Sequence, residues 1–172
     1  LVYSVEAEPL GTGGAIRHAL EHVQSDTLLV MNGDSYCDVS LKQFIANHHA
    51  PASMVLVHQA DTARYGRVTF DLDANITQFI EKDGQILSGW INSGIYLINR
   101  SLIASLPVGR AISIEKEIFP EWVKQGMLKG FIDLVFEWQG RWYLLDPMLR
   151  VRGAVEDAPG IAGQVLERVA AL

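Results

Sequence analysis

The chain has 172 residues, of which 49% are hydrophobic and 20% charged, and a formal net charge of −6. That composition supplies a core and excludes a disordered polymer, while the acidic balance argues against nucleic acid or an anionic membrane as main partner. A single cysteine, Cys37, excludes an internal disulfide and a cysteine-rich zinc site, and reads as a small buried hydrophobe in a reducing compartment.

In chain order, Leu1 to Val5 has the composition of a short strand, and Gly11 to Gly14 that of a loop. Ile16, Ala19, Leu20 and Val23 share one face of a helix over Ala15 to Val23. Thr27 to Met31 is a buried strand ended by the turn Asn32-Gly33-Asp34. A helix over Leu41 to His49 is closed by Pro51, and Ser53 to Gln59 is again a strand. Strand and helix in alternation predict an α/β, doubly wound, mostly parallel sheet. Gly66 to Leu72, Ile76 to Glu81 and Trp90 to Ile98 then read as strands of an antiparallel or mixed extension. Ser101 to Leu106 is a short helix. Ser113 sits at the N-cap of another that runs to about Lys124, with Glu115 and Glu117 in its first turn. Residues 1–130 read as one core and 131–172 as a divergent C-terminal segment of the same domain.

No apolar run approaches the length of about 18 residues that spans a bilayer. The N-terminal stretch lacks the basic region of a secretory signal. The reading is a soluble cytoplasmic protein. The absence of Met at position 1 points to a chain that begins partway through a longer one.

Three constellations carry chemistry. Gly11, Gly13 and Gly14 lie between a strand and a helix, where glycines either let a ligand approach the backbone or make a tight connection. The stretch is neither a Walker loop nor a dinucleotide fingerprint. Asp34, just after a buried strand, stands at the sheet edge where such folds bind ligands; it is a carboxylate for a hard cation such as Mg²⁺, or an Asx turn. Asp38 reads as a capping or surface acid. Glu81 and Lys82 suit a phosphorylated polyol, or a solvated hairpin. On a regular strand they project to opposite sides, so only one faces a pocket. Adjacent His48 and His49 read as surface residues, because neighbours on a helix diverge. His58 has no acidic or cysteine neighbour in sequence, and no Ser-His-Asp set is evident.

Taken in order, Pro9-Leu10-Gly11-Thr12-Gly13-Gly14-Ala15, Asn32-Gly33-Asp34-Ser35, Arg64-Tyr65-Gly66-Arg67-Val68, Phe79-Ile80-Glu81-Lys82 and Ile91-Asn92-Ser93-Gly94-Ile95-Tyr96 resemble the sugar-1-phosphate nucleotidyltransferase family over about Leu1 to Gly130. Within it the wording is most similar to the D-glycero-D-manno-heptose 1-phosphate guanylyltransferases. Mannose-1-phosphate guanylyltransferases and glucose-1-phosphate thymidylyltransferases are alternatives.

The resemblance implies a Rossmann-like fold and a Mg²⁺-dependent reaction. A sugar 1-phosphate and a nucleoside triphosphate, GTP favoured, would give a nucleotide-sugar for lipopolysaccharide or capsule, plus pyrophosphate. It implies that Glu8, Leu10, Gly11, Thr12, Gly13 and Gly14 face base and ribose, and that Asp34 binds the metal. Gly66, Glu81 and Asn92 would line the sugar pocket, with Lys82 at the sugar phosphate. Homo-oligomers are compatible with it.

Two departures stand out. The family's opening strand and Gly-Gly-x-Gly-Thr-Arg-Leu phosphate loop have no counterpart here, so the sheet is expected without its first strand; Arg17, inside a helix, cannot replace the loop. The family's second metal ligand corresponds to Asp133 in Phe131-Ile132-Asp133-Leu134, with Asp146 a competing match. A non-catalytic nucleotide-sugar-binding homologue or regulatory domain is therefore the alternative expectation.

Overall fold

The computed structural model describes residues 1–132, 134–138, 141–145 and 151–152. Helix α1 (Gly11–Ala19) continues into a 3₁₀ turn (Leu20–His22) and leads to β1 (Thr27–Met31). Helix α2 (Leu41–Ala46), capped by the Ser40 hydroxyl, precedes β2 (Ala52–Gln59). Strands β3 (Arg67–Phe70), β4 (Ile76–Ile80) and β5 (Gly89–Asn99) follow, then α3 (Arg100–Ala104). A π-helical turn (Ile114–Ile118) opens α4 (Phe119–Lys124), and β6 (Leu128–Phe131) completes the main sheet. Strands β7 (Leu134–Trp138), β8 (Arg141–Leu145) and β9 (Val151–Arg152) form a second, antiparallel sheet.

The main sheet is ordered β4-β3-β5-β2-β6, with β1 also on β5. Strands β1 and β2 each pair antiparallel with β5, and β6 pairs parallel with β2, so β1, β2 and β6 all run one way. The interposed β5 confines hydrogen-bonded parallel pairing to β2–β6 among the described residues. The β3–β4 hairpin is the antiparallel extension expected from the sequence.

Period-2 alternation places helices on both faces. Ala52, Met54 and Leu56 of β2 and Tyr96 and Ile98 of β5 pack with Leu20, Ile103, Ile114, Phe119 and Trp122. Val55, Ile95 and Leu97 turn to the other face, against Phe44 of α2 and Phe131. Ring pairs anchor both layers, Tyr96–Phe119 and Phe44–Phe131 each at 5.0 Å. Each fully buried ring contributes about 1.5–3 kcal/mol. This is the mixed, doubly wound α/β architecture the sequence predicts.

Several local expectations change. Leu1 to Val5 is not a strand: its apolar side chains are exposed, and no strand among the described residues pairs with it. A lone strand leaves its amides without ladder partners, so β-like composition is insufficient. Gly11 to Gly14 is the first turn of α1 rather than a loop. Strand β1 is only partly buried, with Leu29 and Met31 exposed and pairing on one edge. His48 is half-buried and hydrogen-bonded through Nδ1 to Ser53 Oγ at 2.8 Å, while His49 is exposed as expected. Cys37 is only half-buried, packing at the edge of the second core cluster.

Candidate functional site

Strand β1 ends at Met31, and the chain turns through Asn32-Gly33-Asp34 beside the middle of β5. The turn is fixed there because Asn32 N–H donates to the Gly94 carbonyl at 2.9 Å. Gly94 has φ +82, and a Cβ would lie 2.6 Å from Asn32 Nδ2, so only glycine lets the two segments approach. Across β5, Asn92 N–H donates to the Gly66 carbonyl at 2.9 Å, fixing the entry to β3. A Cβ on Gly66 would crowd the Phe79 ring at 3.0 Å and Glu81 Oε2 at 3.3 Å.

These contacts open a cleft of about 730 Å³ lined by Asp34, Gly66, Glu81, Lys82 and Asn92, with Thr12 at its far wall. Both Glu81 and Lys82 line it, against the expectation that strand alternation sends them apart. Strand β4 ends at Ile80, and residues beyond a strand are released from its period.

Asn92 is held at both ends of its amide: Nδ2 donates to Tyr96 Oη at 2.8 Å, and Oδ1 accepts from Gly94 N–H at 2.9 Å. Burial pushes the Tyr96 hydroxyl well above its ordinary range, the Asn92 hydrogen bond opposes this, and the Glu115 and Glu81 carboxylates reinforce it. Tyr96 therefore stays a neutral phenol, buried in the core behind Asn92.

The far wall comes from residues that sequence reasoning treated as an ordinary helix start. Ser113, Glu115 and Lys116 line the cleft together with Arg64 and Tyr65. Thr12 Oγ1 donates to Glu115 Oε2 at 2.7 Å and accepts from Ile114 N–H at 2.9 Å, and Ser113 Oγ donates to the same Glu115 oxygen at 3.0 Å. Ser113 is the N-cap that the sequence indicated.

The other residues expected at the nucleotide lie elsewhere. Glu8, Leu10, Gly11, Gly13 and Gly14 do not line the cleft. The N–H groups of Gly13 and Gly14 both donate to the Ile112 carbonyl, at 2.8 and 3.3 Å. A Cβ on Gly11, where φ is +67, would sit 2.6 Å from that oxygen. The glycines thus pack α1 against residues 110–112, and those amides are not presented to a ligand. Asp38 is an exposed acid outside the cleft, with Ser40 taking the cap. Asp133 and Asp146 lie outside the described residues.

For a metal, the described residues offer no group of three or more His, Cys, Asp or Glu side chains. Asp34 is exposed in the cleft, and the Ser35 hydroxyl donates to its Oδ1 at 3.3 Å. That fits a cation held by one carboxylate together with phosphate oxygens and water, the manner of Mg²⁺. No helix among the described residues is long and apolar enough to cross a membrane.

Comparison with known proteins places these features in a family. The model of the nucleotidyl transferase family matches residues 1–141. The chain is 36% identical over 143 residues to the catalytic subunit beta of mannose-1-phosphate guanylyltransferase from Drosophila melanogaster, covering 80% of this chain and 38% of that protein. It is 33% identical over 165 residues to the mannose-1-phosphate guanylyltransferase of Mycobacterium tuberculosis, covering 93% of this chain and 45% of that one. It thus spans less than half the length of these curated relatives. Among solved structures, HddC from Yersinia pseudotuberculosis complexed with GMP-PN superimposes with a TM-score of 0.64 at 29% identity, covering 95% of this chain and 64% of that one.

Proposed function

Because this chain belongs to the nucleotidyl transferase family, we propose that it forms part of an enzyme that makes a nucleotide-sugar, with guanine the favoured base. A phosphate oxygen of a sugar 1-phosphate attacks the α-phosphorus of the nucleoside triphosphate. The bond to the β-phosphate breaks, and pyrophosphate leaves. Relatives named as guanylyltransferases and a neighbour complexed with GMP-PN support the choice of nucleotide.

The observation that carries this reading is the gathering of Asp34, Gly66, Glu81, Lys82 and Asn92, from four separate sequence motifs, into one cleft. Glu81 accepts sugar hydroxyls, Lys82 neutralises the sugar phosphate, and the doubly held Asn92 supplies a fixed polar edge. Asp34 is the carboxylate that would hold Mg²⁺; the ion would supply charge neutralisation at the phosphates. On this reading the protein works in the cytoplasm.

The test is pyrophosphate release by the full-length protein from GTP, Mg²⁺ and a panel of hexose and heptose 1-phosphates. Release with at least one sugar is expected. Silence with all of them, under conditions where a nucleotide-sugar binds, would make this a binding domain instead.

A further inference from the structure

We propose that Lys116 is a phosphate-binding residue of this cleft, held on its wall by the Glu115 carboxylate. The inference rests on the function proposed above and adds a cation that none of the sequence motifs marked.

Among the described residues Arg67 is paired with Asp83, Arg110 with Glu117 and Lys124 with Glu121. Lys116 and Lys82 line the cleft without an ion pair among those residues. Neither flanking carboxylate pairs with Lys116 among the described residues: Glu117 is paired with Arg110, and Glu115 Oε2 accepts from the hydroxyls of Thr12 and Ser113. Those bonds, with Ile114 N–H donating to Thr12, tie the π-helical turn to the first turn of α1. The turn itself is closed by the Phe119 N–H on the Ile114 carbonyl, and π turns recur at functional sites. The result is an exposed ammonium on a braced backbone, in the same cleft as Lys82. A phosphate dianion placed between them gains charge-assisted hydrogen bonds from both sides.

The phosphate belongs either to the sugar 1-phosphate or to the nucleoside triphosphate, and kinetics separates the two. Lys116→Met and Lys116→Arg are made in the full-length protein, with Lys124→Met as a control outside the cleft, and each substrate is varied in turn. Lys116→Met should raise KM for one phosphate substrate about tenfold to a hundredfold, as expected when a charged hydrogen bond is lost. Lys116→Arg should recover most of the loss, and Lys124→Met should match the wild type. A rise confined to the sugar phosphate or to the triphosphate identifies which phosphate Lys116 holds. KM and kcat both within about twofold of wild type, or a Lys116→Arg protein as impaired as Lys116→Met, overturn the proposal. Wild-type protein without turnover would count against the function itself, and calorimetric binding of sugar 1-phosphate and of GTP to Lys116→Met would then test the site alone, with both affinities unchanged overturning it.

Discussion

Replacing Gly14 by alanine separates a packing role for the glycine-rich turn from a ligand-binding one. A Cβ at this position would lie 2.6 Å from the Arg110 carbonyl oxygen and 2.9 Å from Leu10 Cβ, well inside ordinary contact. Neither neighbour is the tip of a flexible side chain, so α1 must move away from residues 110–112. That movement strains the Gly13 N–H to Ile112 O bond and the Ile112 N–H to Leu10 O bond, both 2.8 Å. Losing both costs about 2 kcal/mol, and overpacking adds about 1–3 kcal/mol. The better helix propensity of alanine returns about 1 kcal/mol. The net expectation is a loss of about 2–4 kcal/mol, read as a lowered urea midpoint by circular dichroism. Gly33→Ala is the internal control: nothing lies within 4 Å of its Cβ, and its change should stay within about 0.5 kcal/mol. A Gly14→Ala protein with a wild-type midpoint but lost nucleotide affinity would refute the packing account.

Two further outcomes follow from buried groups. Tyr96→Phe leaves Asn92 Nδ2 without its acceptor and should cost about 1–2 kcal/mol, while Tyr96→Phe made in an Asn92→Ala background should cost clearly less. Equal costs in both backgrounds would mean that the hydrogen bond carries no stability. Burial holds the His48 pKa below its ordinary 6.5, with the neighbouring His49 acting in the same direction and a hydrogen bond to Asn99 opposing them. The unfolded chain then binds the proton first, so this contribution is complete above pH 6.5 and is lost as pH falls through the folded value. His48→Asn should flatten the acid side of the stability profile between pH 7 and 5 (about the range of an ordinary histidine titration), and an unchanged slope would contradict it.

Much of the fold is legible because alternation and turns are local signals. The run Met54 to Leu56 and the segment Ile95 to Ile98 alternate between two core clusters, which calls for layers on both sides. Asn32-Gly33-Asp34 marks the end of β1, and Ser113 marks a helix start. What escapes the sequence depends on partners far along the chain. The same glycines serve a ligand loop or a tight helix contact, and the deciding atom, the Ile112 carbonyl, is about a hundred residues away. Leu1 to Val5 has strand composition but no described strand to pair with. Lys116 looks like any first-turn lysine until the Thr12–Glu115 bond places its turn on the cleft. His48 reads as a surface residue until Ser53 of β2 is seen beside it.

The central claim is that this cleft performs metal-assisted nucleotidyl transfer, and Asp34 tests it most directly. Asp34 is exposed and accepts a long hydrogen bond from Ser35, so Asp34→Asn removes charge without disturbing the core. The measurement is nucleotide-sugar formation, followed by mass spectrometry, from GTP and the preferred sugar 1-phosphate over a Mg²⁺ titration. Wild-type and Asp34→Asn full-length proteins are compared side by side. The account predicts product from the wild type and a loss of at least about a hundredfold in the variant that saturating Mg²⁺ does not restore. Near-normal turnover by Asp34→Asn, at any Mg²⁺ concentration, would contradict it.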